Sequence, residues 1–362
     1  MGYEVDFIGT KSDTKSGDAI AIRFGDLHKS PAEQKVIVID GGFSEDGETL
    51  VNHIKTHYGT DRVDLVISTH PDQDHINGLT AVLEQLTVKE LWIHKAWEHN
   101  AGIASKFHDG RITDGSVGDR LKATLNKAHE LCELAESKGV TIKEPFAGMD
   151  IFDGALRILG PSVEYYESLL PDFEGMPEKK ERAGLQESLL SKVAKAIKKV
   201  FVDWGQDHQI SDVGVTSAKN NSSVITQLVV DGRKLVFTAD AGIEALDQAA
   251  HHLDACQLGA ELRLMQIPHH GSRRNVGPSV LNRIVGHPVG EGEKRGISAI
   301  VSAASNSEKH PRKAVLNAFT HRGATVSATR GGHIRHSWQA PSREGWKPLE
   351  PEPYHYELEE EV

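Results

Sequence analysis

The stretch Asp64-Leu65-Val66-Ile67-Ser68-Thr69-His70-Pro71-Asp72-Gln73-Asp74-His75 decides the reading of this chain. Its first half is a short apolar run, the pattern of a buried strand. Its second half places four metal-ligating side chains in six positions, directly past the strand's carboxyl end. α/β folds commonly put their functional groups there. In an extended turn residues 70 and 72 share one side while Asp74 and His75 project elsewhere, so one loop can serve two neighbouring metal ions. A polar turn that only caps the following helix would need Asp74 alone. The mixed nitrogen and oxygen set suits Zn²⁺, Mn²⁺ or iron rather than a thiolate-bound metal.

Upstream of this stretch, Ala19-Ile20-Ala21-Ile22 and Val36-Ile37-Val38-Ile39 are β-like runs, the second closed by Asp40-Gly41-Gly42. Downstream, Gly78 to Leu86 predicts a helix and Glu90 to Ile93 a strand, completing a strand–helix–strand rhythm. Between His94 and Ala218 that rhythm weakens, and amphipathic patterns over 120–138 and 187–201 predict helices. The span 94–215 therefore reads as a helical insertion or lid, with Lys198-Lys199 on a solvated face. Val224 to Val230, Asp231-Gly232 and Lys234 to Phe237 predict a hairpin with a two-residue turn, ending at Thr238-Ala239-Asp240. Strands at 263–267, 299–302 and 325–328 alternate with helices. Residues 1–340 thus form one α+β body, and 341–362 an acidic, proline-containing surface tail.

With 38% hydrophobic residues and 34 glycines in 362 residues, the composition excludes wholesale disorder. A net charge of −11 excludes a broadly basic nucleic-acid coat, so any phosphate-rich ligand must be held locally. Twenty histidines point toward metal chemistry. Cys132 and Cys256 are too few and too far apart for a disulfide framework or a thiolate metal motif, and read as reduced structural thiols. Neither a signal peptide nor an apolar run long enough to span a membrane is evident, so a cytoplasmic setting is expected.

His70-Pro71-Asp72-Gln73-Asp74-His75 resembles the metal signature of the metallo-β-lactamase superfamily, usually His-x-His-x-Asp-His. With aspartate in the second place it resembles the soluble hydrolase domain of ComEC-type DNA-uptake proteins. Gly17-Asp18-Ala19-Ile20, Val38-Ile39-Asp40-Gly41-Gly42, Asn220-Asn221-Ser222-Ser223-Val224, Thr238-Ala239-Asp240, Pro268-His269-His270-Gly271-Ser272 and His310-Pro311 carry the same resemblance. It spans residues 3–336 apart from the segment near 94–215.

The resemblance implies an αββα sandwich of two mixed sheets. His70 and Asp72 would hold a first metal ion, Asp74 and His75 a second, and Asp240 would bridge them. One of His269 and His270 would add a further ligand. Where the superfamily usually has another histidine upstream of the bridging aspartate, this chain has Asn220 and Asn221. These are either oxygen donors toward metal or substrate, or an Asx turn. His310 and His333 would hold a scissile phosphate or protonate its leaving oxygen, or else lie in hydrogen-bonded turns. Arg273 and Arg274 are candidate phosphate clamps.

The expected activity is that of a metal-dependent hydrolase, a phosphodiesterase or nuclease in which metal-bound hydroxide attacks phosphorus. Asp74, Asp240 and His310 would be its catalytic residues and one or two Zn²⁺ or Mn²⁺ ions its cofactor. Its substrate would be nucleic acid or a nucleotide. Hydrolysis of amide, lactone or thioester bonds is a second reading. A partner-binding or sensor subunit of a defence system, docking a protein through 94–215, is a third.

Overall fold

The computed structural model describes residues 1–179, 197–255 and 259–361. In chain order its strands are β1 (Gly2–Phe7), β2 (Ala19–Gly25), β3 (Lys35–Gly41), β4 (Arg62–Ile67), β5 (Thr87–Trp92), β6 (Thr141–Lys143), β7 (Asp150–Ile151), β8 (Leu156–Gly160), β9 (Ile197–Phe201), β10 (Ile225–Val230), β11 (Arg233–Phe237), β12 (Glu261–Gln266), β13 (Ile297–Val301), β14 (Ala324–Ala328), β15 (Ile334–Trp338) and β16 (Glu357–Glu361). One seven-stranded sheet runs β15-β1-β2-β3-β4-β5-β6, a second runs β14-β13-β12-β11-β10-β8-β7, and β16 pairs with β9. Each large sheet is antiparallel at one end and parallel at the other, with β3 to β6 and β11 to β14 forming the parallel halves.

Period-two alternation builds the layers. In β3, Ile37 and Ile39 join Val5, Phe7, Leu65 and Trp92 of the first sheet, and Leu228, Leu235 and Phe237 of the second, in the apolar layer between the sheets. Val36 and Val38 point the other way and pack with Leu50 and Val51 of α1 (Ser44–His53). The same outer layer takes in α2 (Gln73–Ile76), α3 (Leu79–Gln85), and the helices α4 (Asp114–Thr124) and α5 (Asn126–Ser137). Beyond β8 lie α6 (Val163–Leu169), the single turn α7 (Ala218–Asn221) and α8 (Ile243–Ala255). The outer face of β12 to β14 is covered by α9 (Pro278–Ile284) and α10 (Lys313–Thr320) through Leu281, Val315 and Phe319. The result is the expected αββα sandwich.

The β10–β11 hairpin closes through Asp231 and Gly232 at φ 52° and 71°, the left-handed pair that a two-residue turn demands. Gly78 has a different reason. A Cβ there would lie 1.9 Å from the carbonyl oxygen of Gly41, so glycine is what lets the start of α3 touch the end of β3. Cys132 is buried, which pushes its thiol up to about 12 and leaves it unreactive. Cys256 and residues 187–196 of the helix expected over 187–201 lie outside the described residues.

Three expectations change. Residues 94–215 are not a detached helical insertion, because β6 completes the first sheet and β7 and β8 complete the second. Residues 197–201 form a strand instead of a helix end, since their partner is the distant acidic segment 357–361, where Lys199 pairs with Glu357 at 2.6 Å. The segment from 341 is not a loose tail either. Arg343 reaches Asp6 at 2.7 Å and Glu4 at 2.9 Å, two fully buried carboxylates on β1. Arg23, Arg335, His53 and Tyr58 surround the same pair. Among the described residues no helix is long and apolar enough to cross a membrane.

Breaking a buried ion network by removing one partner costs more than the pair itself is worth, because it strands charge. Arg343→Met should lower stability by about 3 kcal/mol, read as a shifted urea midpoint at unchanged slope. Burial would raise the carboxyl of Asp6, but His53 and Arg343 hold it down at about 2, so this contribution persists at neutral pH and fades only as the pH falls toward that value.

Candidate metal centre

The carboxyl ends of the parallel pairs β3–β4 and β11–β12 meet at one edge of the sandwich, and the polar loops gather there. Three turns at this edge hold non-glycine residues in left-handed conformation: Asp40 (φ 55°), Ala239 (φ 45°), and the consecutive His269 and His270 (φ 47° and 53°). Such backbone costs about 1 kcal/mol or more per residue. It is held here by hydrogen bonds, as where the side chain of Gln266 accepts the N–H groups of Thr238 at 2.9 Å and Ala239 at 3.0 Å.

Two pockets share Asp240. On one side, Asp240 Oδ2 lies 3.7 Å from His70 Nε2 and 3.5 Å from His269 Nε2, and His70 Nε2 lies 3.7 Å from Asp72 Oδ2. On the other, Asp240 Oδ1 lies 3.4 Å from His75 Nε2, which is 4.0 Å from Asp74 Oδ2, itself 3.3 Å from His270 Nε2. One oxygen of Asp240 thus faces each pocket. The sequence left open which histidine of the His269-His270 pair takes part, and the geometry places one on each side.

Each imidazole is oriented by its far nitrogen. Asp40 Oδ2 accepts from His75 Nδ1 at 2.8 Å and from Thr69 Oγ1 at 2.6 Å, while Asp40 Oδ1 accepts from Thr69 N at 2.8 Å. With its proton committed to Asp40, the Thr69 hydroxyl can accept from His70 Nδ1 at 3.1 Å. The Ser302 carbonyl accepts from His270 Nδ1 at 3.1 Å. Asn275 donates its amide to the Asp240 carbonyl at 2.8 Å, so its oxygen accepts from His269 Nδ1 at 3.0 Å. All four Nε2 atoms are left facing the centre, the usual arrangement of histidines prepared for a metal.

The donor set fits divalent ions. The buried atoms Asp18 Oδ1, His70 Nε2, His75 Nε2 and Asp240 Oδ1 have no hydrogen-bond partner among the described residues, which is costly unless something else binds them. Asp18, His75, Asp240 and His270 each bring one ligand atom into a group within 4.8 Å of one another. The carboxyl of Asp18 is raised by burial and by Asp240, against the pull of His270 and His75. Burial would lower His75 and His270, but the facing carboxylates win, lifting His75 well above its ordinary value and His270 to about 9. In return Asp240 and Asp74, which burial alone would raise, are held well below the usual carboxylate range by His75, His269 and His270. His70 goes the other way, lowered by burial and by its neighbour His75.

Not every expected residue joins the centre. Asn220, buried, accepts from the Ser217 hydroxyl at 2.7 Å and donates to Thr216 at 3.0 Å, and Asn221 accepts the Gly242 N–H at 3.1 Å. Asn220 also approaches His269 Nδ1 through its amide nitrogen at 3.1 Å, so it stands behind a candidate ligand, while Asn221 braces the Asp240 loop. His333 accepts the Gly9 N–H at 2.9 Å and packs beside His53 in the Asp6 cluster, a hydrogen-bonded turn rather than a phosphate site. Arg273, four residues from His269, reaches Gln209 at 3.1 Å, and Arg274 is exposed. The His310 ring lies 5.9 Å from the His269 ring, and burial together with His269 and His270 lowers it to about 4, so it is uncharged at neutral pH. Asp18 and Asp40 were not assigned roles from the sequence, although their Gly17-Asp18 and Asp40-Gly41-Gly42 settings marked them as turn-bound carboxylates.

A family model described as the metallo-β-lactamase superfamily matches residues 32–286. The chain belongs to that superfamily. No curated protein matches it. Among solved structures, unliganded yeast PDE1 is 12% identical with a TM-score of 0.42, over 91% of this chain and 98% of that one. A variant of the CmlA β-hydroxylase is 10% identical with a TM-score of 0.41, over 93% and 53%. A metallo-β-lactamase from Hirschia baltica is 13% identical with a TM-score of 0.32, over 78% and 90%. The superfamily is one of hydrolytic enzymes that bind one or two divalent metals, and the clustered histidines and aspartates of this member are arranged to do so.

Asp40→Asn should weaken metal binding by about 10- to 100-fold, through the lost anchor of His75 and Thr69, and a calorimetric titration measures it. Because His270 titrates at about 9, the metal-free centre is protonated at neutral pH. Metal binding should therefore release protons and tighten as the pH rises from neutral toward 9. Calorimetry in buffers of different ionisation enthalpy counts the protons directly.

Proposed function

We propose that this superfamily member is a metal-dependent phosphodiesterase acting on nucleic acid or a nucleotide. The observation that carries the reading is a cleft of about 220 Å³ whose lining includes His310, 5.9 Å ring to ring from His269, and in which Lys309, Arg312, Lys313 and Arg330 outnumber the one carboxylate, Glu308. In a chain of net charge −11 such a local group of cations selects for a phosphate-bearing substrate. An amide, lactone or thioester offers these cations no charge to meet. Arg273 hydrogen-bonds Gln209, another lining residue, which puts its guanidinium at the same rim.

One or two divalent ions, zinc or manganese, held by His70, Asp72, Asp74, His75, Asp240, His269 and His270, would supply Lewis-acid polarisation of the phosphoryl group and an activated nucleophile at neutral pH. The protein's own groups do the positioning. Asp240 turns one oxygen to each pocket, so it holds the two halves of the centre in register. Asp40 and Thr69 fix the imidazole planes and exclude other rotamers. His310, being uncharged, orients the substrate by hydrogen bonding, while Lys309, Arg312 and Lys313 carry the electrostatic attraction. The aspartate-rich signature, which resembles that of ComEC-type hydrolase domains, agrees with oxygen-favouring ions and a phosphate substrate.

The test is hydrolysis of bis(p-nitrophenyl) phosphate with Mn²⁺ or Zn²⁺, compared with a panel of uncharged esters. Asp240→Asn should lower kcat by about a thousandfold. Lys309→Glu with Lys313→Glu should raise KM for a short oligonucleotide about tenfold and leave the small diester unaffected. Turnover of esters without phosphodiesters, or full activity in Asp240→Asn, would overturn the reading.

A further inference from the structure

Lys219, in α7, enters the centre from the side where the asparagines brace the scaffold. Its Nζ lies 2.7 Å from Asp72 Oδ1 and 3.8 Å from Glu174 Oε2. The other oxygen of Asp72 faces His70. The pocket built from His70, Asp72 and His269 thus already contains a cation, bonded to its only carboxylate besides the shared Asp240.

The two pockets also differ in enclosure. In the pocket of Asp74, His75 and His270 the side chains are 29%, 0% and 6% exposed, with Asp18 beside them at 3%. In the other pocket His70 is fully buried, and Asp72 and His269 are 26% and 29% exposed. Ligand atoms of Asp18, His75, Asp240 and His270 are already within 4.8 Å of one another, and among the described residues no comparable group includes Asp72 or His269. One pocket contains a preassembled buried group, and the other is partly neutralised by Lys219. An ammonium and a divalent ion repel each other when both sit on one carboxylate, so an ion entering beside Lys219 must displace the ammonium from Asp72. Glu174, 85% exposed, is the carboxylate within reach to receive it.

We propose that the two metal pockets are unequal because of Lys219. The His75 pocket holds its ion tightly, and the His70 pocket takes its ion reversibly, in competition with the Lys219 ammonium, which swings between Asp72 and Glu174. The inference rests on the metal-binding half of the proposed function and is independent of the substrate. Lys219 acts through Asp72 and is a positioning residue.

The experiment is a direct metal titration of the full chain, stripped by chelation and titrated with Mn²⁺ or Zn²⁺ in a calorimeter, with elemental analysis after gel filtration. The native chain should retain one ion and bind a second at least about tenfold more weakly. Lys219→Met keeps length without charge and should tighten the weak step about tenfold or more while leaving the strong step unchanged. Lys219→Arg, retaining the cation, should leave both steps near native. Two equal steps in the native chain, or a weak step that Lys219→Met does not move, would overturn the inference, and the first of these needs no variant. Absence of any bound ion would overturn the metal centre itself, whereas normal binding without phosphodiester turnover would remove only the proposed substrate.

Discussion

The carboxylate of Asp40 is the constraint on which the centre depends. It stands at the end of β3 in left-handed backbone and takes three hydrogen bonds from the neighbouring loop, from Thr69 N, Thr69 Oγ1 and His75 Nδ1. Strand order brings this about, since β3 and β4 are parallel neighbours whose carboxyl ends emerge side by side. The loop from Ser68 to His75 therefore has its shape set by an adjacent strand end, and both its histidines inherit their ring orientation from one acid. Gly78 completes the arrangement by letting α3 begin against Gly41. Close approach and charge-assisted hydrogen bonding together fix side chains that a loop alone would leave free.

Much of this was legible in the sequence, for reasons that differ from residue to residue. Continuous apolar runs such as Val36 to Ile39 announced strands, and the Asp231-Gly232 turn announced its hairpin, because both signals are local. The His70 to His75 cluster was legible because so many ligand types rarely crowd one turn without purpose. Asp240 followed from a strand end and a family resemblance. What the sequence hid was long-range pairing. Nothing near Ile197 to Phe201 reveals the acidic strand that straightens it, and nothing near Arg343 reveals Glu4 and Asp6. Asn220, Asn221 and His333 have side chains able to meet a substrate or other protein groups, and only the packed structure shows that neighbouring hydroxyls and His269 took Asn220 while backbone N–H groups took Asn221 and His333. Lys219 carried no signal, being one lysine among many until the fold set it against Asp72.

The geometry also separates what the sandwich must do from what the site must do. The layer between the sheets is mainly apolar, whereas the carboxyl-terminal edge concentrates buried carboxylates and imidazoles whose charges are balanced against each other. Burial that would be unfavourable for each group alone is tolerable because opposite charges alternate across Asp240. Strained turns at His269 and His270 persist for the same reason, supported by Asn275 and Ser302 rather than by local preference.

The candidate ligands come from both sheets: His70, Asp72, Asp74 and His75 follow β4 of the first, and Asp240, His269 and His270 follow β11 and β12 of the second. Elsewhere the sheets are joined mainly by apolar contact, which resists separation but is indifferent to small sliding movements, apart from Trp338 of the first sheet, which donates to Asp231 and stacks with Arg233 of the second. At this edge the joint is directional. Asp240 touches histidines carried by the opposite sheet and by its own, so the centre acts as a rivet that sets the register between the two layers as well as a place for chemistry. A shift of one sheet against the other would be felt first as a change in the spacing of the two pockets. The accuracy of the site is in this way a property of the whole sandwich rather than of any one loop.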